Sequence, residues 1–405
     1  MACRPLKRKV TDLSDVLKGI RVLDFGRFVA GPFCGALLAD LGADVIRVER
    51  VGGGEDRFIT PVRRGGTGAF YLQSNRNKRA ITLSPLKPEG RQIVRRLVAN
   101  ADVVLVNLPP AAIKEMNLDY ESLSGIKPDI ILTAITAFGD DGPYRDRVGF
   151  DGVAQVMSGA TYLAGSSDKP QRSMAPYVDF DTAMAATIGT LAAIMERQRT
   201  GKGQQVSCDL LRTAMNFCSM HLVEQAVTRA DRVPTGNRSP TSAPTDLFRC
   251  KDGWLLTQVA GQPIWQRWVK LMGEEHWLSD PRFRDDMSRG EHSDVVCDRM
   301  ARWCAERSVK EAIAACEMHR IPCGPLYSPQ QALDDPHVQA AGYLRHLVYP
   351  GVGEVPVVET PFRLSRSDVG VKRRAPTLSE HTDSVMAELG YSANEIELLK
   401  EKRVI

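Results

Sequence analysis

Residues 22 to 50, VLDFGRFVAGPFCGALLADLGADVIRVER, constrain the fold more than any other stretch of the chain. Val22 to Phe25 form a short apolar run suited to a buried strand. Pro32 is placed for the first turn of a helix, Phe33, Leu37, Leu38 and Leu41 line one face of it, and Val45 to Val48 open a second strand. This strand, turn, helix and strand outline is that of a dinucleotide-binding unit, and Glu49 stands where a ribose-binding acid would. The phosphate loop is missing. Its fingerprint needs G-x-G-x-x-G, whereas the glycines here are Gly26, Gly31 and Gly35, and Arg27, Phe28 and Val29 fill the space a pyrophosphate would use. The spacing predicts the architecture without that cofactor.

The alternation continues. A helix is expected over about Pro88 to Asn100, with Ile93, Val94, Leu97 and Val98 on one face, and ADVVLVN and DIILTAI follow as buried strands. The fold class expected is therefore α/β: a Rossmann-like large domain with a mostly parallel sheet, plus a smaller α+β domain. A chain of 405 residues exceeds one ordinary core. We expect the large domain over 1–213, completed by 341–405, a linker at 214–235, the small domain at 236–330 and a second linker at 331–340. In the small domain LFRCKDGWLLTQV predicts a hairpin turning at Asp252-Gly253, and Ser308 and Glu311 have capping-box spacing. Asp383 to Lys400 reads as one terminal helix.

Composition narrows the function. Hydrophobic and charged fractions of 43% and 25% belong to a globular protein, and a net charge of +4 gives no general attraction to nucleic acid. The nine cysteines are scattered without a C-x-x-C, which reads as reduced thiols in a cytoplasmic protein and gives no support for a metal site. The N-terminal residues lack the apolar core of a secretory signal, and AMAATIGTLAAIM, Ala183 to Met195, reads as a buried helix and not a membrane span. All seven histidines follow residue 220, so the α/β half holds no histidine base, and no G-x-S-x-G or Walker loop occurs. Carboxylates or backbone groups must carry any chemistry there. Asp179, in APYVDFDTAMAATIGTLAAIMERQRTGKGQ, lies at the start of a small-residue helix, where N–H groups and the helix dipole favour its ionised form. On the residues alone a helix cap is the ordinary role of either Asp179 or Asp181.

Six strings in order, VLDFGRFVAGPFCGALLADLGADVIRVER, SNRNKRAITL, KPEGRQIV, ADVVLVNLPP, TAFGDDGPYRDRVGFDGVAQVMSG and ERQRTGKGQQV, resemble the class III CoA-transferase family, the formyl-CoA and carnitine CoA-transferase type. The resemblance implies that CoA passes from an acyl-CoA donor to a small carboxylic acid through aspartyl anhydride and aspartyl-CoA thioester intermediates. Gly189 sets a register that places the family's nucleophile at Asp179. The resemblance further implies CoA contacts at Val29, Arg50, Leu83 and Asn107, charge from Lys78, and Asp151 as a neighbour that orients or polarises the nucleophile. Glu115 and Leu86 depart from the family's arginine and lysine, with Lys114 and Lys87 adjacent as substitutes. CoA thioester is then a substrate, with no permanently bound cofactor, no metal and no membrane or nucleic-acid partner, and two chains interlock as a homodimer. Gly261 to Pro263 resembles a remnant of a mobile loop and reads as a plain turn. Related α-methylacyl-CoA racemases pair aspartate with the histidine of a G-H-D string, which here is Gly149-Phe150-Asp151, so racemisation ranks below transfer. A non-catalytic CoA-binding module is the remaining alternative. Arg27, Arg63, Arg64, Arg76, Arg145 and Arg147 lie in polar loops; one or two facing the pocket would favour dicarboxylate substrates such as succinate.

Overall fold

The computed structural model describes residues 15–62 and 67–405, so Arg63 and Arg64 lie outside the described residues. The chain divides into two compact units, one of residues 15–158, 173–218 and 341–405, the other of 159–172 and 219–340.

The first unit is built on a six-stranded parallel sheet. Its strands are β1 (Arg21–Asp24), β2 (Asp44–Glu49), β3 (Arg79–Thr82), β4 (Val103–Val106), β5 (Ile131–Thr136) and β6 (Gln205–Asp209), in the spatial order β3-β2-β1-β4-β5-β6. Alternate residues feed opposite faces, as the pleat requires. Val22, Val103 and Leu105 point to a layer containing helix α1 (Ala30–Asp40), while Leu23, Val104 and Val106 point to the other layer, containing α2 (Pro88–Ala99). Every residue of α1 is buried. Its AGPFCGALLAD composition allows this, because one side lies on the sheet and another packs on the long helix α4 (Tyr177–Thr200), with Phe33 and Phe180 meeting edge to face at 4.8 Å. The shorter α3 (Asp151–Met157) precedes α4, and α5 (Leu210–Phe217) follows β6.

Helix α4 is long and apolar enough to cross a membrane by length and composition. Its Ala183, Ala186 and Ala193 are packed in the core instead, and Thr182, Thr187 and Thr190 return their hydroxyls to the carbonyls four residues back.

The terminal segment closes the second face. Val385, Met386, Ile396, Leu399, Val404 and Ile405 pack against the sheet and α2. The single helix expected over Asp383 to Lys400 is two, Thr382–Glu388 and Ala393–Glu401: Gly390 takes φ 86° between them and Ser392 starts the second with a capping box on Glu395.

In the second unit, strands Thr245–Arg249 and Trp254–Gln258 form the hairpin around Asp252-Gly253, and Cys323–Pro325 adds a third strand. Trp265 and Trp268 stack at 5.2 Å in its core, and Ser308 and Glu311 form the capping box. The stretches expected as linkers are largely helical. Ser219–Thr228 is a helix, since SMHLVEQAVT lacks glycine and proline, and Pro329–Asp334 is nucleated by a capping box from Ser328 to Gln331. Residues 159–172 also belong to this unit, where Gly236 donates its N–H to Gly165 O at 2.7 Å.

Candidate active site at the sheet switch point

Strand order reverses between β1 and β4, and open parallel sheets bind ligands at the carboxyl ends of such strands. One side chain ties the two ends together. Asn107, just past β4, accepts the Arg27 N–H at 2.6 Å through Oδ1 and donates from Nδ2 to Arg27 O at 2.8 Å. Gly31 makes room for it: a Cβ there would lie 3.0 Å from Asn107 Cγ and 3.1 Å from Gly26 Cα. The glycines of this turn therefore serve close packing. Phe28, held at φ 62°, directs its ring against Phe150 at 5.5 Å. That backbone region is costly for an aromatic residue, and such strain collects at binding sites.

A cavity of about 330 Å³ opens here, lined among others by Arg27, Val29, Asn107, Arg145, Arg147 and Asp179. A second, of about 170 Å³, is lined by Arg50 and Leu83 and shares Arg27 and Leu108 with the first. The two cavities adjoin along one wall. Glu55 sits among their cations, paired with Arg27 and 3.5 Å from Arg50, whose Nε also donates to Gly53 O at 2.6 Å.

Lys78 does not belong to this site. It is buried, and its three ammonium hydrogens are taken by Asp24 Oδ2 at 2.7 Å, Pro32 O at 2.6 Å and Asn75 Oδ1 at 2.9 Å. Burial alone would raise the Asp24 carboxyl, but Lys78 and Arg47 outweigh it and hold the group below the usual carboxylate range. Glu49 is buried likewise and bonded to Arg57 at 2.6 Å, and it lines the smaller cavity beside Arg50. Arg76 is buried against Asp40 at 2.7 Å, which removes it from the arginines expected to face a pocket. Lys87 donates to Lys402 O at 2.6 Å and so braces the C-terminal segment.

Asp179 lies in the first turn of α4, where Pro176 offers no side-chain cap. Asp151 supplies one from a different helix: its Oδ2 accepts the N–H of Val178 at 2.8 Å and of Asp179 at 3.1 Å, while Gln155 Nε2 donates to its Oδ1. This removes the preference for the ionised form expected from the sequence. The helix N–H groups that would favour an ionised Asp179 are spent on Asp151, and burial, reinforced by the Asp151 charge, pushes the Asp179 carboxyl up to about 7. Asp181 is one turn along α4 and caps nothing. The site thus presents a desolvated, basic carboxylate to a cavity with cations on its rim, suited to attack on an electrophilic carbonyl.

The structure gathers Val29, Asn107 and Asp179 in one cavity, Arg50 and Leu83 in its neighbour, and Asp151 behind Asp179. Sequence reasoning missed Thr136, Ala137 and Leu210, which also line the larger cavity. Each lies at or just beyond the end of β5 or β6, the position that would have flagged it. Phe150 occupies the place of the racemase histidine and is exposed on the cavity wall.

Comparison with known proteins decides the family, since a model described as CoA-transferase family III matches residues 17–382. The chain belongs to CoA-transferase family III. It is 33% identical over 393 residues to the succinyl-CoA–D-citramalate CoA-transferase of Chloroflexus aurantiacus, covering 96% of this chain and 98% of that protein. It is 32% identical over 381 residues to the succinate–glutarate CoA-transferase of Agrobacterium fabrum, covering 92% and 95%. Among solved structures it resembles a CAIB/BAIF family protein from Brucella suis with a TM-score of 0.81 and 31% identity, covering 92% of this chain and 99% of that one. As a member of the family the chain is a class III CoA-transferase, and CoA thioesters and carboxylates are its substrates.

Proposed function

We propose that the chain moves CoA from an acyl-CoA donor to a small carboxylic acid, dicarboxylates included, with Asp179 as the nucleophile. The observation that carries this reading is the placement of a desolvated Asp179 in a cavity that adjoins, across Arg27 and Leu108, a second cavity rimmed by Arg50. The ADP portion of CoA would occupy the smaller cavity, its phosphates exchanging with Glu55 for Arg27 and Arg50, and the thioester would reach Asp179 past Val29 and Asn107. A carboxylate oxygen of Asp179 attacks the thioester carbonyl; the C–S bond breaks, CoA thiolate leaves, and a mixed anhydride conserves the acyl energy. Thiolate then attacks the Asp179 carbonyl, releasing the donor acid and leaving an aspartyl-CoA thioester. The acceptor carboxylate attacks that thioester, and returning thiolate cleaves the second anhydride to free the new acyl-CoA. Asp151 is a positioning residue: it fixes the first turn of α4 and keeps Asp179 basic. The curated relatives whose names carry succinate, glutarate and citramalate support a short dicarboxylate.

Incubation with succinyl-CoA, trapping by hydroxylamine or borohydride and peptide mass mapping are expected to mark Asp179. Asp179→Ala should abolish transfer while CoA still binds, whereas Asp181→Ala should retain it. Full transfer by the Asp179 variant would remove this mechanism.

We infer a homodimer as well. The Ser219–Thr228 helix has no buried residue and exposes Met220, Val223 and Val227, an apolar surface that a second copy would cover.

A further inference from the structure

The larger cavity carries three arginines, and two already have carboxylate partners. Arg27 pairs with Glu55, and Arg145 reaches Asp146 at 3.3 Å. Arg147 is held differently: its guanidinium lies 3.9 Å from the centre of the Tyr144 ring, and among the described residues no carboxylate pairs with it. An aromatic ring orients a guanidinium without cancelling its charge, and the in-plane fork of donors stays available to a carboxylate. Arg147 lines the cavity of Asp179 and not the neighbouring one of Arg50, so its charge falls on the acyl side. The same cavity is also lined by the Phe28 and Phe150 rings, 5.5 Å apart and nearly perpendicular, which make part of its wall apolar. A cation, an apolar wall and a nucleophile in one cavity of about 330 Å³ match a short methylene chain with an acid at each end.

We propose that Arg147 is a specificity residue that grips the distal carboxylate of a dicarboxylic acyl group or acceptor. The assignment rests on the transfer reading above and adds to it the residue that selects the substrate. Arg147→Gln removes the fork and the charge, and Arg147→Lys keeps the charge alone.

Glutaryl-CoA and valeryl-CoA share a five-carbon acyl chain and differ by the distal carboxylate. Two measurements on wild type and both variants decide: the rate of covalent labelling of Asp179 by each thioester, and the equilibrium affinity for each thioester and for free CoA by calorimetry. Wild type is expected to favour glutaryl-CoA. Arg147→Gln should erase that preference through a roughly 10- to 100-fold loss on the glutaryl side, Arg147→Lys should lose less, and affinity for CoA and valeryl-CoA should hold. The proposal is overturned if wild type does not discriminate, if Arg147→Gln leaves the ratio intact, or if that variant weakens both thioesters and CoA alike, which would make Arg147 a phosphate contact. Failure of the transfer reading would look different. Neither thioester would label wild type, and the relative affinities would still decide the role of Arg147.

Discussion

At the scale of single residues, the decisive feature is the competition of two carboxylates for one helix end. The register of Asp179 on a small-residue helix was visible in the sequence; its charge state was not, because Asp151, on another helix, takes the N–H groups of Val178 and Asp179. The surroundings of Lys78 were hidden for a similar reason, since nothing in SNRNKRAITL shows that its ammonium neutralises a buried Asp24. The Asp179 shift has a consequence for stability. Its folded pKa of about 7 lies above the ordinary 3.8, so the folded state holds a proton that the unfolded chain has lost. A raised carboxyl destabilises: the penalty is absent below about pH 4, grows between there and pH 7, and is complete above. Asp179→Asn carries no such penalty and should stabilise the fold by roughly 2–4 kcal/mol at pH 8, with a smaller gain at pH 5, by urea denaturation at each pH. A gain that is independent of pH would mean that Asp179 is not the raised group. In the wild type kcat/KM should fall as pH drops through about 7, because the protonated acid is no nucleophile.

At the scale of elements, the parallel sheet was the most legible part, because strands buried on both faces leave near-continuous apolar runs such as VVLV. The turn after β1 was half legible. Its glycine spacing departs from the dinucleotide fingerprint, but what those glycines accommodate becomes clear only with Asn107 opposite Gly31, since that contact joins residues far apart in sequence. The terminal helix was drawn too long because Ile396 and Leu399 continue an apolar face past the break at Gly390. Asn107 is where this scale can be tested. Asn107→Leu keeps the size and removes both bonds to the Arg27 backbone, leaving a partly buried N–H and C=O unpaired. Stability should fall by roughly 1–3 kcal/mol in urea, and CoA affinity with it as the turn loosens. An unchanged CoA affinity at that loss of stability would mean that the turn does not shape the groove.

At the scale of the molecule, apolar side chains left uncovered on one copy bear on assembly. Besides the Ser219–Thr228 helix, α4 exposes Ile188 and Met195 one above the other, seven residues apart. If these surfaces are shared between copies, sedimentation at micromolar concentration should give twice the 44.7 kDa chain mass, and a stable monomer there would contradict the dimer. The order in which the chain supplies its parts matters too. The sheet is complete by Asp209 and α2 already lies on its second face, yet the rest of that layer, Val385, Met386, Ile396 and Leu399, comes from residues beyond 381, after the whole of 219–340. On a ribosome adding about 5–20 residues per second, the uncovered part of that face waits on the order of ten seconds for its cover. For that interval the nascent chain carries a partly covered hydrophobic surface, and its yield in a cell should depend on chaperone supply more than the stability of the finished protein would suggest.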